Sequence, residues 1–326
     1  MKNVLVIQTA FLGDVILATA LVEKLHAEFP GIAISMLVRE GNESLLKNHP
    51  FLKEILVWKK KSGKWKGLLE ISKSVRRNRY DAVFNLQRFF SSGFITAFSG
   101  AQVRAGFEKN PWSFRFTHVT KHIIGDNRHE VDRNLELLKD FSKEAKALPK
   151  LYPSDSDYLK TSGYKKNNYV TMAPASVWFT KQLPEQKWEE LIRGAAPGLT
   201  IYLLGAPGDK ELCEHIANSS GNTSVINLAG KLSLLESAAL MKDAVMNYVN
   251  DSGPLHMASA MNAPVTAFFC STVPAFGFGP LSEKSVIIET LEKLECKPCG
   301  LHGLKSCPQQ HFKCGTTIIV PKPGFN

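Results

Sequence analysis

Four parts of this chain have residue types and spacing that could do chemistry: Asp14, the loop from Ser176 to Lys181, the turn from Asp251 to His256, and four crowded cysteines. Asp14 comes after an apolar run, Val4-Leu5-Val6-Ile7, and a loop, Gln8-Thr9-Ala10-Phe11-Leu12-Gly13. It precedes Val15, Leu17, Ala18, Leu21, Val22 and Leu25, which share overlapping helical turns. A carboxylate at a helix start faces unsatisfied N–H groups and the positive end of the helix dipole, and both favour its charged form. Such a group can cap the helix or serve as a general base. On the local sequence alone the cap is the simpler account.

Three later loops point to a phosphate. Ala173-Pro174-Ala175-Ser176-Val177-Trp178-Phe179-Thr180-Lys181 leaves a strand and supplies two hydroxyls and a lysine. Leu204-Gly205-Ala206-Pro207-Gly208-Asp209 lets backbone approach a ligand closely, although many strand–helix connections look like this. In Asn250-Asp251-Ser252-Gly253-Pro254-Leu255-His256 a strand meets a helix with a proline in its first turn. N–H groups from Ser252, Gly253 and Leu255 could cradle an anion there, and His256 adds a donor. Taken singly, these residues read as polar loop, helix caps and a buried histidine. Together, at one edge of one sheet, they are better explained by a nucleotide diphosphate.

The cysteines Cys296, Cys299, Cys307 and Cys314 follow the spacing Cys-x₂-Cys-x₇-Cys-x₆-Cys, with His302 and His311 nearby. Four thiolates so spaced could bind a structural zinc, or they are free thiols in an irregular tail. In a cytosolic chain the zinc reading is preferable to a disulfide framework.

The elements that must position these residues alternate. Strands are predicted at 4–7, 32–38, 54–58, 81–86 and 103–107, with helices at 65–77 and 129–141. After a stretch at 146–168 with prolines, Ser-Asp pairs and Lys-Lys-Asn-Asn, which reads as a linker, the alternation resumes. Strands at 169–173, 199–204, 225–228, 244–249 and 265–269 alternate with helices at 184–195, 209–217, 234–241 and 254–261, the third capped by Ser233. This is the α/β pattern of parallel sheets covered on both faces. It predicts two doubly wound, Rossmann-like domains, 1–150 and 151–326, facing across a cleft.

Length and charge fit that reading. The chain has 326 residues, 44% of them apolar, and a net charge of +10, which suits an anionic partner or mere solubility. Met1 to Ala20 loosely resembles a signal peptide, but Asp14 lies within what would be its apolar core. No other stretch reaches the ~18 uncharged apolar residues of a membrane span. The expected location is the cytoplasm. The basic surface could bring the protein to the anionic inner membrane as a peripheral contact.

Three segments carry a family resemblance: Thr9-Ala10-Phe11-Leu12-Gly13-Asp14-Val15-Ile16, Trp178-Phe179-Thr180-Lys181-Gln182-Leu183-Pro184 and Asp251-Ser252-Gly253-Pro254-Leu255-His256. Lesser matches are Arg104-Ala105-Gly106-Phe107, Leu228-Ala229-Gly230-Lys231-Leu232-Ser233 and His129-Glu130-Val131-Asp132-Arg133. The chain resembles the heptosyltransferases of lipopolysaccharide core synthesis, glycosyltransferase family nine, which have the GT-B architecture of two Rossmann-like domains. The resemblance implies transfer of a heptose from ADP-heptose to a lipopolysaccharide core hydroxyl, with inversion and without a metal ion or other cofactor. It implies an N-terminal acceptor-binding domain and a C-terminal nucleotide-sugar-binding domain. Asp14 becomes the catalytic base, and this joint account reverses the balance against the cap. Ser176 and Lys181 would hold the diphosphate. Asp251, Ser252, Gly253 and His256 would line the phosphate and donor-sugar site, and Gly230 and Leu232 the adenine pocket.

The acceptor should be anionic. Gly13, Arg88 and Arg104 are the residues assigned to it, both arginines being expected just beyond strands. Arg128 and the clusters at 59–61 and 76–79 read as a solvated basic face. Two departures from the family stand out: Pro207 occupies a position that is often polar near the nucleotide, and Pro321 and Pro323 exclude a final helix. The alternatives are a GT-B transferase for another nucleotide sugar and a nicotinamide-dependent oxidoreductase. The latter lacks a Gly-x-Gly-x-x-Gly after the first strand. A nucleic-acid binder is suggested by charge alone, and no nucleic-acid motif is present.

Overall fold

The run Val4–Ile7 forms the core of β1 (Asn3–Ile7), and these four side chains are fully buried, as a parallel strand covered on both faces requires. The structure, a computed structural model, describes residues 1–59, 64–142 and 146–324. Contacts divide the chain into two compact units, Met1–Tyr152 and from Pro153 onward.

In the first unit β1 is followed by α1 (Leu12–Glu28), β2 (Ala33–Arg39), β3 (Leu52–Trp58), α2 (Lys64–Arg77), β4 (Ala82–Asn85), α3 (Phe90–Ala97), β5 (Val103–Phe107), β6 (His118–Thr120) and α4 (Glu130–Leu135). The strands form one sheet in the order β3-β2-β1-β4-β5-β6, every neighbouring pair parallel. The connection reverses direction between β1 and β4. In such sheets the ligand crevice lies at this switch point, beyond the carboxyl ends of the strands.

The second unit contains α5 (Asp155–Thr161), β7 (Tyr169–Ala173), α6 (Glu185–Arg193), β8 (Thr200–Leu203), α7 (Lys210–Ser220), β9 (Val225–Asn227), α8 (Leu234–Lys242), β10 (Met246–Asn250), α9 (Gly253–Ala260), β11 (Val265–Phe268), β12 (Ser285–Ile288) and a short α10 (Lys313–Thr316). Its sheet runs β12-β11-β10-β7-β8-β9, the same topology as the first, with its switch point between β7 and β10. Trp188, Leu191 and Ile192 of α6 pack with Val170, Ile201 and Phe268 of the sheet to make its core.

Several elements differ from the sequence reading. The expected linker contains α5, capped by Ser154 and Asp157 and tied to α8 by a Lys160–Glu236 ion pair of 2.7 Å. The helix expected over 129–141 ends at Leu135 and tightens into a 3₁₀ turn, Glu136–Leu138. α3 was hidden because Ser91-Ser92-Gly93 is a poor helix-forming run, and β6 and β12 because they are short edge strands. Among the described residues no helix is long and apolar enough to cross a membrane.

Candidate active site

In the first unit, α1 starts one turn earlier than the cap reading of Asp14 required. Phe11, in extended conformation, is the N-cap and offers no side-chain bond. Gly13 is therefore inside the helix, and Asp14 is its third residue, half-buried and near the positive end of the dipole. The cap reading of Asp14 is thus corrected.

The loop that leads into Asp14 is locked by neutral side chains. Thr9 Oγ1 donates to Gln87 Oε1 at 2.7 Å, and Gln87 Nε2 donates to Gln8 Oε1 at 2.8 Å. Asn42 Nδ2 donates to the Ala10 carbonyl at 3.0 Å, and Asn110 Nδ2 to the Gln87 carbonyl at 3.0 Å. Gln8, Gln87, Asn42 and Asn110 are all buried, so these bonds fix the loop against slippage. Their functional role was not read from sequence, because partners 23 to 79 residues apart leave no local pattern.

The two arginines assigned to the acceptor part company. Arg88 follows β4 beside Gln87 and is half-buried, at the switch point. Arg104 does not follow a strand. It is the second residue of β5, paired with Val83 toward the amino edge, and its guanidinium donates to the carbonyls of Ala101 and Arg115. It pins backbone in its own unit. Arg39, the last residue of β2, was missed; its guanidinium stacks 4.7 Å from the centre of the Phe11 ring. Arg128 is engaged by Asp126 at 2.7 Å. Of the 59–61 lysine cluster, positions 60 and 61 lie outside the described residues.

In the second unit, Lys181 ends a 3₁₀ turn, Phe179–Lys181, after β7. Its Nζ lies 2.7 Å from Asp251 Oδ2, just beyond β10, so the ion pair bridges the two strands of the switch point. Asp251 is almost wholly buried and also accepts from Thr272 Oγ1 at 2.6 Å. Its carboxylate is therefore engaged in orienting Lys181 rather than presented to a donor. Asn250 holds the same loop from the other side, accepting from the Leu183 N–H at 2.9 Å and donating to the Pro174 carbonyl at 2.8 Å.

The turn before Lys181 is also braced from the cysteine-bearing segment. Thr180 N–H donates to the Leu304 carbonyl at 3.1 Å, and Leu304 N–H to Thr180 Oγ1 at 2.8 Å. Ser271 Oγ donates to Thr180 Oγ1 at 2.9 Å, and Cys299 N–H to the Ser271 carbonyl at 2.9 Å. Gly303, at φ +74°, lies so close that a Cβ there would sit 2.7 Å from Lys181 Cγ. Thr180, Asn250, Ser271, Thr272, Gly303 and Leu304 thus brace the site; Thr180 and Asn250 belong to the loops singled out from the sequence, whereas the other four have no sequence signal beyond falling in irregular stretches.

The remaining donor residues are placed as follows. Ser176 is half-buried in the loop, and its carbonyl accepts from Gln182 Nε2 at 2.6 Å. Ser252 is the N-cap of α9, but its hydroxyl donates to the Asn250 carbonyl rather than capping, and the Leu255 N–H is taken by the Ser252 carbonyl at 3.1 Å. An anion at this turn would therefore meet the N–H groups of Ser252 and Gly253, not that of Leu255. His256 is buried in the first turns of α9, 6.3 Å from the Phe278 ring. Gly230, at φ +74°, donates to the Gly205 carbonyl at 2.9 Å, and a Cβ there would meet Pro207 Cα at 2.9 Å. The two loops beyond β8 and β9 thus touch through backbone, with Leu232 half-buried beside them.

The cysteine segment does not assemble as a zinc centre. Among the described residues no group of three or more His, Cys, Asp or Glu side chains could hold a metal ion. Cys299 Sγ donates to the Cys296 carbonyl at 3.1 Å, Cys296 Sγ lies 3.9 Å from His311 Nε2, and Cys314 belongs to the apolar core. Burial, with the thiols of Cys299, Cys307 and Cys296 nearby, pushes the Cys314 thiol up to about 11.

Two doubly wound units, one with a carboxylate in the first turn of α1 and the other with an ion-paired lysine beside a helix N-terminus, make up the GT-B type of fold. The chain belongs to glycosyltransferase family 9 (heptosyltransferase), whose model matches residues 68–305. It is 26% identical to lipopolysaccharide heptosyltransferase 1 of Pseudomonas aeruginosa, over 91% of this chain and 86% of that one. Among solved structures it is similar to E. coli ADP-heptose lps heptosyltransferase II, with TM-score 0.77, 22% identity and coverage of 96% and 97%. It is also similar to the glycosyl transferase family 9 protein of Veillonella parvula, with TM-score 0.80, 21% identity and coverage of 89% and 86%.

Proposed function

We propose that this protein transfers a heptose from ADP-heptose to a hydroxyl of the lipopolysaccharide inner core, with inversion at the anomeric carbon. The carrying observation is Lys181, held by Asp251 across the switch point of the second unit in a chain of this family. The diphosphate would sit against Lys181, Ser176 and the N–H groups of Ser252 and Gly253, at the positive end of α9. His256 would face the donor sugar, and Gly230 and Leu232 the adenine. In this reading the second unit binds the donor and the first the acceptor, with Gly13 and Arg88 beside the incoming sugar. Arg104 takes no part.

Asp14 would take the proton of the attacking hydroxyl as the new glycosidic bond forms and the bond from anomeric carbon to phosphate oxygen breaks. Lys181 and the helix dipole would stabilise the charge that develops on departing ADP, so the reaction would need no metal ion. Thermal unfolding tests the donor directly. ADP at ~100 times its Kd should stabilise the protein by about 2.7 kcal/mol, while UDP, GDP and NADH at equal concentration should leave the midpoint nearly unchanged. A larger shift with NADH would point to the oxidoreductase alternative. A larger shift with UDP or GDP would point to another nucleotide sugar.

A further inference from the structure

Gln8 is the first residue beyond β1, and its backbone fixes it at the switch point of the first sheet. Its N–H donates to the Leu37 carbonyl of β2 at 3.0 Å, while the N–H of Leu86, just past β4, donates to the Ile7 carbonyl at 3.1 Å. Gln8 therefore stands between the carboxyl ends of β2 and β4, on the edge from which the chain leads into α1 and Asp14. Only 3% of the residue is exposed. A side-chain amide buried so deeply is expected to have its polar atoms met.

Half of this amide is met. Gln8 Oε1 accepts from Gln87 Nε2 at 2.8 Å and from the Ala10 N–H at 3.2 Å, which occupies both of its lone pairs. The same two donors decide which way the amide faces. Exchanging its oxygen and nitrogen would set N–H groups against N–H groups, so the network fixes the orientation. Gln87 is fixed in turn: its Oε1 accepts from Thr9 Oγ1 at 2.7 Å, and its backbone N–H donates to Asn85 Oδ1 at 3.0 Å.

The other half, Gln8 Nε2, has no hydrogen-bond partner among the described residues. Asn85 Nδ2 nearby is also unpartnered but wholly enclosed, whereas Gln8 Nε2 is not sealed from solvent. A nearly buried, orientation-locked side chain thus keeps two N–H donors open at the carboxyl edge, where a ligand of this sheet would sit. With its oxygen saturated, the amide can only donate. Its partner must be an oxygen without a proton to spare: a sugar hydroxyl oxygen, a ring oxygen or a carboxylate.

We infer that Gln8 is an acceptor-specificity residue, whose Nε2 donates to an oxygen of the sugar that carries the attacking hydroxyl. The inference deepens the transferase reading and rests on it. Gln8 is neutral and fixed, so it reads the position of one oxygen, and the charge of the acceptor is left to Arg88. A site built to hydrogen-bond a substrate oxygen discriminates strongly against analogues that lack it.

The test is calorimetric titration of the full chain, with ADP present, by a deacylated lipopolysaccharide core oligosaccharide that lacks heptose, alongside initial rates with ADP-heptose. Gln8→Met keeps the length of the side chain and removes the N–H groups. It should raise the Kd for the oligosaccharide about tenfold, as expected for a lost hydrogen bond to a desolvated partner, and act on KM rather than kcat. The Kd for ADP should not move. The same substitution releases Gln87 and Ala10, so Gln87→Met is the control. It loosens the lock but keeps Gln8 Nε2, and should weaken oligosaccharide binding by no more than about threefold. Should Gln8→Met fail to fold, Gln8→Glu preserves both accepted bonds, replaces the donor by an oxygen, and must weaken binding by at least as much as expected of Gln8→Met. Folded Gln8 variants that bind the oligosaccharide like wild type overturn the inference and leave a water as the partner of Nε2. Gln87→Met losing as much as Gln8→Met overturns it too, making Gln8 a brace and no more, as does wild-type protein that does not bind the oligosaccharide. Binding that depends on Gln8 but gives no heptose transfer from ADP-heptose would count against the transferase reading alone.

Discussion

The loops beyond β1 and beyond β7 occupy equivalent places in two sheets of identical strand order, yet they are held by different chemistry. The first is braced by amides: Gln8, Gln87, Asn42 and Asn110 bond one another or backbone and carry no charge. The second is braced by an ion pair, Lys181 with Asp251, and by the hydroxyls of Thr180, Ser271 and Thr272. A neutral brace leaves the carboxylate of Asp14 as the formal charge on its loop. A carboxylate brace in the second unit aims a cation at the strand edge. The first unit has a buried charge network too, but keeps it away from this loop: Arg133 bonds Glu130 and Asp126 at 3.0 Å each, and Glu130 meets His122 at 3.1 Å. Burial alone would raise the Glu130 pKa, but the bonds from His122 and Arg133 outweigh it, and the acid titrates below its usual range. Topology therefore fixes where a ligand can sit, and the bracing residues fix the sign of charge it meets.

Substitutions can break this contrast in order of size. Asp14→Asn should lower turnover by roughly 10²–10⁴ while the Kd for ADP, measured calorimetrically, stays within twofold. Near-normal turnover would remove Asp14 as the base. Lys181→Ala should raise the Kd for ADP roughly 10- to 100-fold, as expected for a lost charge-assisted hydrogen bond. It should also destabilise the fold, because Asp251 is left buried without its cation. An unchanged Kd would dissociate the ion pair from donor binding.

The mildest change is Gly303→Ala. Its Cβ would press on Lys181 Cγ, and the positive φ at this position disfavours any side chain. We expect a loss of about 1 kcal/mol in stability and a several-fold weaker Kd for ADP, with turnover at saturating donor unchanged. If turnover falls and the Kd does not move, the segment around Leu304 does not act through Lys181.

Much of the frame was legible in the sequence because parallel strands buried on both faces leave apolar runs that no exposed segment would carry. Val4–Ile7, Tyr169–Ala173 and Val265–Phe268 are of this kind. The helix start at Ser233, where Glu236 completes a capping box, was equally local. Lys181 and Asp251, which the motifs singled out, meet in the structure as an ion pair.

What the sequence withheld was the distribution of tasks among polar residues. Whether Asp251 meets a phosphate or a lysine, whether Asp14 caps its helix, and whether Arg104 reaches solvent or its own backbone depend on a few tenths of an ångström between segments far apart in the chain. Local preferences and burial patterns are written in neighbouring residues, and so the sequence by itself determined the alternation of strands and helices. Long-range hydrogen bonds and ion pairs exist only once the sheets have closed, and so the tertiary structure alone decided which groups remain available for chemistry.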